Sequence, residues 1–545
     1  MKKLFALLIA AVFVLSAFAG CTNKNGKTDV TTNPPATNPE STPGSSVVPA
    51  LEFDTWVSEG YEKVTGEAAV PRNPVTDISL YMAKNEKEGF NISVRFQEAV
   101  EGLKIVLAEG NENELKIEYF DLHLVPAGEK HYPDGMVPYK GSFNAESRTA
   151  KTILVRFVSN ADTDAGEYKF KFAVQTADGK NIAEYNATVN VWDFALPETL
   201  TSVGTTGIDR SQITSKEKIP GAQAGKYYRM YYELMLQYGM SGYSLPYDIL
   251  NEKCDEYLDD PRLKAFVVPY NVDDETLVKY YEKLCTKEEW LEKAYFYPFD
   301  EPTSLEHLAT LAERCQRLQE LAPKIRVCIP FFRNIKVDNN TDEVQYLDDY
   351  LGIWCPKSVC WAEGWLPDPN GNGYFGNRMD EQKAQGDKVW WYVCWEPGYP
   401  YCNLYVNEVG IQHVQLFWQQ YIYGTEGLLY WASTHWGGTD NPWTDIATVK
   451  GLSPTCFGDG SLLYPGNYVG VDGPVASFRL ECIRSGMEDY DLLLLAEEYM
   501  GRDWALEQAK IVSESLSVHT RKNQTFNETR KAIGDAIEAA VKAKG

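Results

Sequence analysis

Tyr295-Phe296-Tyr297-Pro298-Phe299-Asp300-Glu301-Pro302 is an aromatic run that stops on two adjacent carboxylates. Bulky, β-prone residues in a short apolar stretch read as a buried strand. Pro302 ends it, because proline has no N–H to give to a ladder. Thr303 and Glu306 follow at the Thr-x-x-Glu spacing of a capping box, so a helix is predicted to open there. Strand, acid pair, turn and helix make one β/α unit. The fold depends on whether that unit repeats.

It does. Strand-like runs fall at 202–206, 242–246, 265–269, 294–299, 325–330, 351–355, 389–394 and 427–432. Helical patterns lie between most of them, at 226–238, 276–285, 304–321 and 408–423; the second helix is short and the fifth, near 343–349, is weakly marked. The 408–423 pattern meets Gly424, a residue suited to a helix C-cap. Eight strands alternating with helices predict a (β/α)8 TIM-like barrel over 200–474. Upstream, over 51–199, the period changes to two: Ile78-Leu80-Met82, Phe90-Ile92-Val94-Phe96, Ile153-Val155-Phe157 and Phe170-Phe172-Val174 alternate with polar residues. That pattern predicts an antiparallel β-sandwich. Residues 475–545 read as helices, and Arg479, Glu481, Arg484, Glu488 and Asp489 read as a salt-bridged helix face.

The chain opens Met1-Lys2-Lys3 and runs apolar over 4–19, a charged and then hydrophobic leader too short for a stable membrane span. Phe18-Ala19-Gly20-Cys21 resembles a bacterial lipobox, so 1–21 reads as a lipoprotein signal with Cys21 as the lipidation site; an ordinary signal peptide is the alternative. Residues 22–50, rich in Thr, Asn, Pro and Ser, hold too little apolar surface for a core and read as a flexible tether. The expected location is extracytoplasmic, lipid-anchored to a bacterial cell envelope. A net charge of -25 argues against nucleic acid and anionic lipid as partners, leaving Cys21 as the membrane contact. Of the ten cysteines beyond Cys21, Cys355 with Cys360, or Cys394 with Cys402, could pair in an exported protein, but Cys315, Cys328, Cys394 and Cys482 lie in apolar patterns and read as buried free thiols. No Cys/His spacing resembles a metal site, and no cofactor is expected.

Barrel active sites sit at the carboxyl ends of the strands, which is where Asp300 and Glu301 fall. The charge of one carboxylate raises the pKa of its neighbour, so one acid can donate a proton while the other works as an anion. Such a division suits cleavage of a glycosidic bond. The plain alternative is a helix N-terminus carrying acid for its dipole. Asp255-Glu256, Asp274-Glu275, Asp342-Glu343 and Asp380-Glu381 repeat the dipeptide in polar or helical settings and read as surface. Other strand ends offer Arg333 and Asn334, Trp354 and Trp361, Tyr392, Trp395 and Glu396, then Trp431, His435 and Trp436. Together they would line an aromatic cup for a carbohydrate, with Arg333, Trp354, Tyr392, Trp395, Trp431 and Trp436 as candidate binding residues.

Several ordered motifs resemble glycoside hydrolase family 123 and the related domain of unknown function 4091 group. They are Asn85-Glu86, Tyr132-Pro133-Asp134, Val191-Trp192-Asp193-Phe194, Phe299-Asp300-Glu301-Pro302, Trp391-Tyr392-Val393-Cys394, Gly427-Leu428-Leu429-Tyr430-Trp431, Gly458-Asp459-Gly460, Ser477-Phe478-Arg479-Leu480-Glu481 and Gly486-Met487-Glu488-Asp489-Tyr490. The resemblance implies a retaining exo-β-N-acetylgalactosaminidase assisted by the 2-acetamido group of its substrate. Glu301 would then be the general acid and base, and Asp300 the group that orients the acetamide. Tyr392 is the candidate for steadying the acetamide oxygen. Two alternatives stay open: a glycosidase with an ordinary carboxylate pair, its second member Glu363 or Glu396, and a surface lipoprotein that binds glycans without turnover.

Overall fold

The computed structural model describes residues 51–362, 375–446 and 456–544. Cys21, the leader, the tether and Glu363 lie outside the described residues. Residues 51–545 form one compact unit.

Ten strands come first: β1 Phe53–Glu59, β2 Asp77–Lys84, β3 Lys87–Phe96, β4 Val100–Glu109, β5 Lys116–Ala127, β6 Lys130–Pro138, β7 Phe143–Ala145, β8 Ala150–Val158, β9 Gly166–Gln175 and β10 Asn181–Ala195. They form two five-stranded sheets, β1-β3-β8-β5-β6 and β2-β10-β9-β4-β7. The period-two side chains read from the sequence face each other between the sheets: Phe90, Ile92 and Val94 share one core with Leu80, Met82, Phe172 and Val174. Phe90 and Phe172 meet edge to face at 5.6 Å. The sheets are not wholly antiparallel, because β10 runs parallel to β2. Two strands so far apart in sequence are not held to a hairpin's direction.

Eight parallel strands follow: β11 Val203–Thr206, β12 Met240–Gly242, β13 Phe266–Val267, β14 Ala294–Phe296, β15 Arg326–Phe331, β16 Ile353–Pro356, β17 Lys388–Val393 and β18 Gly427–Tyr430. Their order, β12-β11-β18-β17-β16-β15-β14-β13, is that of a nearly closed barrel. At the remaining gap the Val267 N–H donates to Tyr243 O at 2.9 Å. Strand phase divides the side chains. Tyr295, Ile353, Cys355, Trp390, Tyr392, Cys394 and Leu429 form one cluster within the barrel. Residues of opposite phase, Phe296, Ile329, Trp354, Trp391 and Leu428, join the core shared with the surrounding helices.

The helix after β14 spans Leu305–Leu321, and its N-cap is Ser304, whose Oγ accepts from the His307 N–H at 3.2 Å. The predicted Thr303–Glu306 box is therefore displaced by one residue, Ser304 offering the same hydroxyl chemistry a step later. Gly424 does close the helix Gly410–Tyr423, in the left-handed conformation at φ 63°. Three helices end the chain: Phe478–Met500, Arg502–Val512 and Asn523–Lys544. The charged face predicted on the first of them is buried: Arg479 and Asp489 are 0% exposed. Glu481 bridges Arg484 at 2.6 Å and pairs with Arg156 of β8, while Arg530 joins Asp489 at 2.6 Å to Glu86 of the sandwich. Trp192 of β10 donates its indole N–H to Asp535 at 3.0 Å. The ten cysteines from Cys254 to Cys482 are free thiols, and all but Cys285 are buried.

Candidate active site

Asp300 and Glu301 follow β14 on a turn of uncommon shape. Glu301 has φ 43°, in the left-handed region that a side chain disfavours. Its N–H donates to Pro330 O of β15 at 3.2 Å, which ties the turn to the neighbouring strand. Backbone strain of this kind persists where surrounding structure enforces it, often at functional sites. The two neighbours then take separate tyrosine partners. The Tyr297 hydroxyl donates to Asp300 Oδ1 at 2.9 Å, and the Tyr392 hydroxyl donates to Glu301 Oε1. Burial first, then the adjoining carboxylate, holds the Tyr392 hydroxyl well above its ordinary pKa. Tyr297 is raised by burial, then by Tyr243 and Asp300. Both phenols stay protonated and donate. An open cavity beside Asp300 is bordered by Tyr270, Tyr297, Phe299 and Arg314.

Tyr392 reaches Glu301 because of its place in β17. It has the phase of Trp390 and Cys394, all three within the barrel cluster. Trp395 and Trp431 extend that cluster from the ends of β17 and β18, each half-buried. Trp431 is fixed from two sides. Its indole N–H is shared between the Asp459 oxygens at 3.1 and 3.2 Å. Gly460, at φ 74°, lies so close that a Cβ there would sit 2.3 Å from the ring. The Tyr430 hydroxyl also donates to Asp459 at 3.1 Å. Burial raises the Asp459 pKa to about 6, against the lowering effect of these donors.

Lys357 continues the phase of Ile353 and Cys355 beyond β16, and its backbone forms a parallel bridge with Tyr392. Its Nζ lies 3.3 Å from Glu396 Oε2, 4.5 Å from the Phe332 ring centre, 5.7 Å from that of Tyr392 and 5.6 Å from that of Trp395.

The structure thus gathers Asp300, Glu301 and Tyr392 at one strand-end mouth, with Trp395 and Trp431 beside them in the barrel cluster. Three predicted cup residues lie elsewhere, and one of them, Trp361, is buried in the helix-facing core against Phe375 and Trp391. Trp354 is fully buried in the helix-facing core, donating to Asp387 at 2.8 Å. Its position one residue off the inward phase is the reason. Trp436 is buried in the same core and donates to Leu463 O at 2.8 Å. Arg333 is exposed, its guanidinium 4.9 Å from the Phe332 ring centre. Tyr297, Lys357 and Asp459 were absent from the predicted set. For Tyr297 and Lys357 the signal lay in strand phase; for Asp459 it lay only in the Gly-Asp-Gly motif.

The glycoside hydrolase 123 catalytic-domain family model matches residues 222–496. Among solved structures, the chain resembles a family 123 glycoside hydrolase from Clostridium perfringens, studied for glycolipid glycan hydrolysis. The identity is 11% and the TM-score 0.65, over 90% of this chain and 98% of that one. It also aligns with a GH2 β-galacturonidase from Eisenbergiella tayi bound to galacturonate, at 11% identity over 81% of this chain and 72% of that one. That TM-score is 0.28, too low to carry an argument. No curated protein matches the chain.

Proposed function

Since the chain belongs to the glycoside hydrolase 123 family and is a glycoside hydrolase, we propose that it is a retaining exo-β-N-acetylgalactosaminidase that uses the 2-acetamido group of its substrate as nucleophile. One observation carries this reading: adjacent carboxylates at a barrel strand end, each held by its own tyrosine. Neighbouring acids on one turn cannot flank a sugar from opposite faces, as an acid and a protein nucleophile must. They can serve a substrate that brings its own nucleophile.

In the first step the acetamide oxygen attacks the anomeric carbon as the glycosidic C–O bond breaks. Glu301 gives its proton to the leaving oxygen, and an oxazoline-type ring forms. Asp300 accepts a hydrogen bond from the acetamide N–H and balances the positive charge that develops there. In the second step Glu301, now a carboxylate, takes a proton from water as the water attacks the anomeric carbon and the ring opens. Two inversions leave the configuration retained. Tyr392 holds the Glu301 carboxyl in line; in this reading that replaces the contact with the acetamide oxygen expected from sequence. Trp395 and Trp431 offer apolar faces to the sugar. A lipid on Cys21 and the 22–50 tether would present the enzyme outside the cell, bound to the envelope.

The test is turnover of aryl β-glycosides of N-acetylgalactosamine, N-acetylglucosamine and galactose, beside Glu301→Gln and Asp300→Asn. Cleavage confined to acetamido sugars is expected, with kcat lowered about 10²–10⁴-fold in Glu301→Gln. Cleavage of the plain galactoside at a comparable rate would refute acetamide assistance and favour a two-carboxylate mechanism.

A further inference from the structure

Lys357 is an ammonium in an unusual setting. Its side chain is 2% exposed, yet among the described residues it makes one hydrogen bond, to Glu396 at 3.3 Å. Its other near neighbours are the rings of Phe332, Tyr392 and Trp395. Aromatic faces attract a cation but do not replace the hydration of three N–H donors. Among the described residues, two of its donors therefore have no acceptor in a buried place. That place is beside the chemistry, because the Tyr392 ring near Nζ carries the hydroxyl that holds Glu301. Glu396 is 39% exposed and has carboxylate capacity beyond the single contact with Lys357.

We propose that Lys357 and Glu396 form the element that reads the sugar's hydroxyls and sets its epimer specificity; this rests on the glycosidase reading above. An ammonium and a carboxylate side by side match two adjacent hydroxyls of a pyranose, one accepting from Lys357 and the next donating to Glu396. Hydrogen bonds to charged groups are the strong ones. Asp300 and Glu301 are assigned to the acetamide and the glycosidic bond, which leaves the hydroxyls around C3 and C4 for the pair. Inverting one hydroxyl there would leave a buried charge unmatched, the situation in which binding sites discriminate most sharply.

The experiment compares the full protein with Lys357→Met and Glu396→Gln on aryl β-glycosides of N-acetylgalactosamine and its C4 epimer N-acetylglucosamine. In each variant the ratio of kcat/KM between the epimers is expected to move toward one by about tenfold or more. The effects of the two substitutions should be less than additive in the double variant, because the residues are in contact. A pair that only stabilises the fold would lower both substrates by one common factor and leave the ratio unchanged, which would overturn the proposal. Should the wild type prefer sugars without the acetamide, the catalytic reading falls, and the galactoside–glucoside ratio tests the pair in the same way. Calorimetric binding of the free epimeric sugars covers a protein that turns over none of them. An epimer ratio of Kd unaffected by Lys357→Met would then refute the pair's role.

Discussion

Glu301 is held by a left-handed backbone on one side and a tyrosine hydroxyl on the other. Removing that hydroxyl deletes a hydrogen bond to an ionisable group, a contact of about 1.5–3 kcal/mol. Tyr392→Phe should therefore lower kcat about 10–100-fold and leave KM nearly unchanged, since the hydroxyl serves the acid and not the sugar. Undiminished turnover would remove Tyr392 from the mechanism. Trp431 poses the complementary case, a binding wall with no proton to move. Its ring rests on Gly460, where a Cβ would intrude to 2.3 Å and the positive φ is itself unfavourable for alanine. Gly460→Ala should displace the indole and raise KM several-fold, with a smaller change in kcat. Steady-state kinetics on the preferred aryl glycoside would show the split. A loss confined to kcat would mean that the ring does not touch substrate.

At the scale of elements, Arg479 ties the sandwich to the loop that holds Trp431. Arg479, near the start of the helix Phe478–Met500, is fully buried and donates to Asp134 of β6 at 2.9–3.1 Å. The same guanidinium caps the carbonyls of Gly458 at 2.7 Å and of Ser461, which flank the Asp459–Gly460 clamp on Trp431. Asp134→Asn leaves that buried charge uncompensated and should cost about 3–5 kcal/mol in denaturant unfolding. A cost below about 1 kcal/mol would show that the carbonyls alone hold the arginine. The eight barrel strands were legible because parallel strands, covered on both sides, stand out as short apolar runs between helical patterns. The strand-end acids were legible for the same reason. Trp354 was misread because the strand end was recognised without its phase, and a shift of one residue turns a side chain from barrel to helices. Lys357 went unseen through the same omission. The buried role of Arg479 was beyond reach in principle: its charge pattern suits a solvated helix face equally well, and only the packing of β6 against that helix excludes water.

Across the whole molecule, burial leaves a signature in how stability follows pH. Glu343, read from the sequence as surface together with Asp342, is buried; it and Glu408 are pushed up to about 8, and Asp459 and Asp491 to about 6, in each case first by burial. A carboxyl whose folded pKa lies above its unfolded value binds its proton more tightly when folded. Its contribution is complete below the unfolded value, near 4, and is lost as pH climbs through the folded one. Glu481 behaves in the opposite way: burial alone would raise it, but Arg156 and Arg484 draw it down to about 2. Its contribution is present above 4.5 and is lost as pH falls toward 2. Net charge of -25 at pH 7 adds self-repulsion that eases as carboxylates protonate. The melting temperature should therefore be highest near pH 5, decline toward pH 8, and decline again as the solution is acidified below about 4. Glu408→Gln, which removes one buried titration, should flatten the decline between pH 6 and 8 and raise the melting temperature at pH 8 relative to the unmodified protein. Thermal unfolding followed by circular dichroism from pH 3 to 8 reads both effects. A melting temperature that rises steadily from pH 5 to 8 would mean that water reaches these carboxyls in solution, and that the interior is looser than the packing around Glu343 and Glu408 implies.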